Sequence, residues 1–257
     1  MKTNYHTHTL RCQHAQGTEE DYVLSAINSQ LDILGFTDHA PFPDIDFGLR
    51  MPYEELDAYL DTIDSLSCKY SSDLVLLKSL EIEYIPDYTS YYEDLLSKKK
   101  LDYLLLGEHI FKVPDGSFQN IACARSTDLY LEYAHAVASA LDTGYFKIVA
   151  HPDLFSLNKL AWDKNSDAAT DIILEAALRN HTILEYNANG FRRGIVEYPD
   201  GSRYQYPDKR FWEKVVNSGV QVLVGSDCHN PMQVWDQAVD KAYEELAQLG
   251  LQPLLQL

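Results

Sequence analysis

Ile148-Val149-Ala150-His151-Pro152-Asp153 is a short apolar run that stops on an imidazole, and the same construction recurs along the whole chain. Ile33–Thr37 runs into Asp38-His39, Leu104–Gly107 into Glu108-His109, and Val222–Ser226 into Asp227-Cys228-His229. Met1–Tyr5 leads into His6-Thr7-His8, with His14 shortly after, and Leu74–Leu80 ends in Glu81-Ile82-Glu83. Apolar runs of this length, bounded by turn residues, are the pattern of buried strands. Helical patterns fill the spaces between them, so the strands run parallel with helical crossovers.

The expected strands are Lys2–Thr9, Ile33–Thr37, Leu74–Ile82, Tyr103–Gly107, Phe146–Ala150, Thr182–Asn187 and Gln221–Ser226. Thr18-Glu19-Glu20-Asp21 opens a helix with a capping-box pattern, and Pro52-Tyr53-Glu54-Glu55 opens a longer one. Further helices are expected over Ser126–Asp142, Ser166–Asn180, Pro207–Ser218 and Met232–Leu249. With no convincing eighth strand, the fold class is α/β, a distorted, TIM-like (β/α)7 barrel, and residues 1–257 form one domain. An open doubly wound sheet is the alternative, but no G-x-G-x-x-G or phosphate-loop motif follows any strand. Active sites of parallel barrels lie at the C-terminal ends of the strands. That is where the imidazoles and carboxylates of this chain fall.

The 257 residues suffice for a full core, and the formal charge is −18. So acidic a protein repels phosphate backbones and anionic membrane surfaces, so neither nucleic acid nor membrane is expected as a partner. No apolar stretch reaches the length of a membrane span, and no signal-peptide pattern precedes His6. The four cysteines, Cys12, Cys68, Cys123 and Cys228, show no paired spacing. Reduced thiols and a cytoplasmic location are therefore expected.

His6 and His8, two apart on an extended segment, present both rings to one face. Asp227 and His229 share a face in the same way, with Cys228 turned aside as a packed thiol. Glu81 ends its strand and Glu83 has the same parity; a carboxylate there can join two cations through its two oxygens, which imidazole cannot do, and of the pair Glu81 is the one expected to bridge. His39, His109 and His151 end further strands, while spacing alone leaves the role of His14 open. His135, in the middle of a helix, and His181, at a helix end, are expected to be structural. The donors exceed what one zinc uses. Their mixture of imidazole and carboxylate suits Zn, Mn or Fe.

Taken in order, His6-Thr7-His8, Thr37-Asp38-His39, Leu80-Glu81, His109, His151-Pro152-Asp153 and Ser226-Asp227-Cys228-His229 resemble the polymerase-and-histidinol-phosphatase (PHP) family. The likeness spans nearly the whole chain. Length, Leu80–Tyr84 and the segment from Glu185-Tyr186-Asn187 to Gly190 resemble its monofunctional histidinol-phosphatase branch. The resemblance implies three divalent transition-metal ions. It gives His6, His8, Glu81 and Asp227 to one, Glu81, His109 and His151 to a second, and His14, His39 and His229 to the third. One departure is Ser79, where such proteins often carry glycine.

The implied reaction is hydrolysis of a small phosphate monoester, L-histidinol phosphate in histidine biosynthesis, by water activated between two cations. Arg192 and Arg193 are the candidate phosphate contacts, with Lys159 a further one. Asp38 or Asp153 would supply the leaving group's proton, and Glu83 would meet a cationic amine. Three alternatives remain: a family member acting on another phosphoester or phosphotyrosine, an amidohydrolase, and a non-catalytic metal-binding module. Against the amidohydrolase, Gly107-Glu108-His109 offers no bridging lysine at the end of the fourth strand.

Overall fold

The apolar runs become parallel strands, and the ring they form closes between the two ends of the chain. The computed structural model describes residues 1–257. Its first half contains β1 (Thr3–Asn4), α1 (Glu19–Asn28), β2 (Ile33–Phe36), α2 (Leu56–Lys69), β3 (Val75–Lys78), β4 (Glu81–Ile82), α3 (Thr89–Ser97), β5 (Leu105–Leu106), β6 (Ile110–Lys112) and β7 (Phe118–Asn120). There follow α4 (Asp128–Asp142), β8 (Ile148–Val149), α5 (Lys164–Asn180), β9 (Ile183–Asn187), α6 (Asn189–Arg192), β10 (Ile195–Tyr198), β11 (Gly201–Tyr204), α7 (Lys209–Val216), β12 (Val222–Gly225) and α8 (Gln237–Gln248).

Parallel pairing runs β1-β2-β3 in one sheet and β4-β5-β8-β9-β12 in another. Two parallel bridges join the sheets. His39 pairs with Glu81 on one side, and Thr7 pairs with Cys228 on the other. At the second seam the His8 amide donates to the Cys228 carbonyl at 3.0 Å. With β3 and β4 counted as one strand, the barrel has the seven strands expected.

The run Leu74–Ile82 is thus broken at Ser79-Leu80 rather than continuous. Ser79 is buried there, and its hydroxyl donates to the Tyr103 carbonyl at 2.8 Å. Ser79 is therefore a satisfied polar group.

Residues of one parity line the barrel interior. Tyr5, Ile33, Leu105, Ile148, Ile183 and Leu223 form its apolar floor, with Leu254 of the C-terminal segment packed against them. Two residues further along the same faces come polar or minimal side chains: Glu185 after Ile183, Gly107 after Leu105, Gly225 after Leu223. The interior changes from oily to ionisable within one pleat. A larger apolar core fills the layer between the strands and the surrounding helices.

The helix starts follow the local sequence. Thr18 caps α1 in a reciprocal box with Asp21, and Asp163 does the same for α5 with Ser166. Asp208 and Asp236 cap α7 and α8, which therefore begin later than expected, the second after a separate 3₁₀ turn over Pro231–Gln233. Helix α3 was not anticipated. Its Thr-Ser-Tyr-Tyr start has poor helix propensity, and burial of Tyr91, Tyr92 and Leu95 on one face stabilises it.

Two antiparallel hairpins, β6-β7 and β10-β11, were also not anticipated. Both turn on the same four residues, Pro114-Asp115-Gly116-Ser117 and Pro199-Asp200-Gly201-Ser202. Proline, aspartate and a glycine at positive φ are a turn signal with a physical basis. That signal was present in the sequence.

Candidate metal centre

At the C-terminal mouth of the barrel lies a cavity of about 460 Å³, into which the strand ends deliver their ionisable groups. Glu81 stands at its centre. Its Oε1 faces His151 Nε2 at 2.9 Å and His109 Nε2 at 3.6 Å. Its Oε2 faces His39 Nδ1 at 3.1 Å, His8 Nε2 at 3.3 Å and His6 Nε2 at 3.4 Å. One carboxylate therefore divides its oxygens between two groups of imidazoles. Asp227 Oδ1 joins the second group, 3.3 Å from His8 Nε2, 3.6 Å from His6 Nε2 and 3.5 Å from His229 Nδ1. Farther out, His229 Nε2 and His14 Nε2 lie 2.9 Å apart, with His39 close enough to complete a third group.

The room for this arrangement comes from glycines. A β-carbon at Gly107 would sit 2.3 Å from Glu81 Oε1, and one at Gly225 would sit 1.6 Å from Glu185 Oε1. The backbone also departs from ordinary conformations here. His151 and Asp227 have φ of 30° and 49°, and non-glycine residues in this region carry a strain of about 1–3 kcal/mol each. Strain retained at such positions is a mark of functional sites.

A layer of partners aims the rings from behind. His6 Nδ1 is 2.7 Å from Glu185 Oε1, His109 Nδ1 is 3.4 Å from Glu83 Oε1, and His14 Nδ1 is 2.8 Å from the Cys12 carbonyl. Engaging the rear nitrogen fixes the tautomer and turns the other nitrogen's lone pair into the cavity. Asn187 and Asn189 donate to Asp227 Oδ2 at 3.2 and 3.1 Å, and Asn187 also donates to Glu185. Glu185 is a residue that sequence reasoning missed as a participant. Its signal was a charged side chain inside an otherwise apolar strand, in register with Asn187.

Electrostatics divide the donors. Burial penalises a charged His6, but Glu185, Glu81 and Asp227 more than offset this and hold its pKa well above the ordinary value. Burial likewise opposes charge on His8, and Asp227 and Glu81 raise it to about 9. Glu81 and Asp227 are held well below the usual carboxylate range by the surrounding imidazoles, despite their own burial. His14 and His39 are lowered by burial, and His229 is lowered to about 3 by burial and the neighbouring His8.

These residues fit a polynuclear metal centre. His6 and His14 each have the rear nitrogen engaged, so their front lone pairs point at the front nitrogens of His8 and His229, 3.0 and 2.9 Å away. Lone pairs set so close need a cation or a proton between them. The rear nitrogens of His8 and His151 are buried without a hydrogen-bond partner.

The other expected site residues fall elsewhere. Asp38 is buried behind His8, its carboxylate taking bonds from the Thr9 amide and hydroxyl at 2.8 and 2.5 Å and lying 3.9 Å from His8 Nδ1. Asp153 points into the core, where it accepts from the Asp208 amide at 2.6 Å and the Trp212 indole at 3.1 Å. Burial pushes its carboxyl up to about 7, but neither aspartate lines the cavity to protonate a leaving group. Arg192 is consumed by Asp236, Ser226 and the Gln233 carbonyl. Lys159 is exposed and off the cavity.

Arg193 does line the cavity, beside Tyr206. Glu83 lines it too, but both its oxygens are taken by Arg50 at 3.0 and 3.2 Å. Removing one partner of so buried an ion pair costs about 3–5 kcal/mol. Its charge is thus already answered, and the site gains a second arginine, Arg50, which its distant loop concealed. His135 and His181 are exposed on α4 and at the end of α5, away from the cavity.

A seven-stranded barrel with imidazoles and carboxylates converging at its mouth belongs to the class of barrel metallohydrolase folds. Residues 4–189 match the PHP domain, and the chain belongs to that family. It is 27% identical to the "Probable histidinol-phosphatase" of Deinococcus radiodurans, over 95% of this chain and 92% of that protein. It is 25% identical to the histidinol-phosphatase of Bacillus subtilis, over 89% of this chain and 94% of the other. Among solved structures it resembles the histidinol phosphate phosphatase of Lactococcus lactis, crystallised with zinc, L-histidinol and phosphate. The TM-score is 0.69 at 18% identity, over 98% of this chain and 95% of that one.

Proposed function

We propose that this protein is a metal-dependent phosphomonoesterase and that its substrate is L-histidinol phosphate, released as L-histidinol and inorganic phosphate. The observation that carries the chemistry is the divided carboxylate of Glu81, with three imidazoles on one oxygen and two on the other. The substrate reading is supported by the two histidinol-phosphatase relatives, which align along nearly their whole length.

His6, His8, Glu81 and Asp227 would hold one ion, Glu81, His109 and His151 a second, and His14, His39 and His229 a third. Such ions supply Lewis acidity toward a phosphoryl group and a nucleophile from water near neutral pH. The chain's own groups do the rest. Arg193 reaches the cavity from the rim and would neutralise charge on a bound phosphate group. Glu185 and Glu83 keep the His6 and His109 rings aimed, and Asn187 and Asn189 keep Asp227 from rotating. Leu154, Leu157 and Ile121 give the cavity an apolar wall for the organic part of the ester.

The test is phosphate release from L-histidinol phosphate, p-nitrophenyl phosphate and phosphotyrosine, on protein of measured metal content. A strong preference for the first supports the assignment. Turnover of another ester instead would keep the chemistry and discard the substrate. No turnover of any ester at full metal occupancy would favour a non-catalytic binding module.

A further inference from the structure

Arg50, Arg192 and Arg193 stand at or beside the mouth of the barrel, and two of them are already answered by carboxylates. Arg50 pairs with Glu83 and Arg192 with Asp236. Arg193 pairs with no carboxylate. Its guanidinium instead lies 5.5 Å from the centroid of the Tyr206 ring. Tyr206 lines the same cavity, with its ring 6.1 Å from that of His151.

The backbone around Tyr206 is held from several sides. A β-carbon at Gly190 would sit 1.8 Å from the Tyr206 carbonyl oxygen, so α6 packs directly on the tyrosine's peptide and brings Arg193 beside the ring. Just before the tyrosine, the Gln205 carbonyl accepts from the Ser156 hydroxyl, and the Gln205 side-chain amide donates to the Leu157 carbonyl at 3.0 Å. Just after it, the Asp208 amide donates to Asp153 at 2.6 Å. The turn that follows His151 therefore grips the tyrosine segment at both ends.

A phenol has one proton to give and an oxygen that accepts. A guanidinium only donates, so Arg193 can engage the Tyr206 oxygen but never its proton. The carboxylates whose charge reaches the phenol, Asp227 and Glu185, bond to Asn187, Asn189 and His6 instead. Burial and the charge of Asp227 both oppose loss of the proton. A neutral O–H with no acceptor in the chain thus stands beside an unpaired guanidinium. Two such donors suit an oxyanion that offers several oxygens at once.

Resting on the phosphoester reading above, we propose that Tyr206 is a catalytic residue whose O–H donates a hydrogen bond to an oxygen of the phosphoryl group that Arg193 would neutralise. The phenol keeps its proton throughout. Its contribution is a fixed dipole aimed at charge on the phosphoryl oxygens, set in place before substrate arrives.

The experiment measures binding of inorganic phosphate by calorimetry and turnover of p-nitrophenyl phosphate, on full-length protein of known metal content. Tyr206→Phe keeps the ring and removes only the hydroxyl. Its phosphate affinity and its kcat/KM should each fall on the order of 10–100-fold, with metal content and thermal midpoint unchanged. Tyr204→Phe, whose hydroxyl takes a bond from Lys241 at 2.8 Å away from the cavity, should change neither. A crystal of the metal-loaded wild type with inorganic phosphate needs no variant, and it should show the Tyr206 hydroxyl about 2.6 Å from a phosphate oxygen. Unaltered affinity and turnover in Tyr206→Phe, a loss of metal from that variant, or a phosphate beyond hydrogen-bond reach of the hydroxyl overturns the role of Tyr206 and leaves the phosphoesterase reading standing. Wild type that binds no phosphate and cleaves no ester at full metal occupancy overturns both.

Discussion

The inner and outer parts of the metal centre are built from different chemistry. Inside, His6 and His8 have no exposed surface and share their space with Glu81 and Asp227. Outside, His14, His39 and His229 are only partly covered, and the rear nitrogens of His14 and His229 meet backbone carbonyls at 2.8 and 3.2 Å, closer than any carboxylate. The same residue type therefore stands in two protonation states. Inner imidazoles carry protons that balance the carboxylates, and outer ones are neutral, with lone pairs available. An ion entering the inner position must displace protons, while one entering the outer position finds its ligands ready.

The most severe test is Glu81→Ala, because Glu81 touches both parts. At least one ion should be lost by elemental analysis, and turnover should fall on the order of 10³-fold or more. Normal metal content with retained turnover would show that the two parts do not share this carboxylate. His229→Ala is the sharper cut, since it should empty only the outer position. A variant that loses all its metal instead would show that the two parts fold or load as one.

Glu185→Gln probes the inner part from behind. It removes the charge that aims His6 without touching the cavity, and inner metal affinity should weaken about 10–100-fold. Outer affinity should be unchanged, which competition with a chromophoric chelator would resolve.

The pH dependence separates the two parts by sign. His8 titrates near 9 in the metal-free protein, so below that value its proton opposes the ion. Inner affinity should rise up to about tenfold per unit as pH increases from 6 to 8 for this group alone. His229, at about 3, is already neutral throughout that range, so outer affinity should be nearly flat. Apparent dissociation constants at three pH values would decide, and parallel slopes would erase the distinction.

The smallest effect belongs to the rim. Arg193→Ala should raise KM for the phosphoester with metal content unaltered. Arg192→Ala, which breaks a buried-end pair with Asp236, should lower thermal stability and leave KM alone. Equal kinetic penalties would mean that both arginines reach the substrate.

The strand ends were legible because a parallel barrel forces a rhythm on the sequence: an apolar run, then a polar group at the mouth, repeated. Periodicity therefore determined the α/β class, the seven strands and the candidate donors from His6 to His229. Direction was not legible. Asp153 and Arg192 stand beside residues that enter the site, yet one side chain faces the Trp212 indole and the other Asp236. Both lie past a strand end, Asp153 at the start of a tight helical turn and Arg192 at the end of α6, where strand alternation no longer tells which side chain faces the cavity. The pairing of Arg50 with Glu83 joins positions 33 residues apart, and no local pattern encodes such a contact. The sequence by itself thus settled which groups gather at the mouth. Only the tertiary structure decided which oxygen meets which ring and which imidazoles keep their protons. Those outcomes depend on burial and on charges brought close from distant parts of the chain.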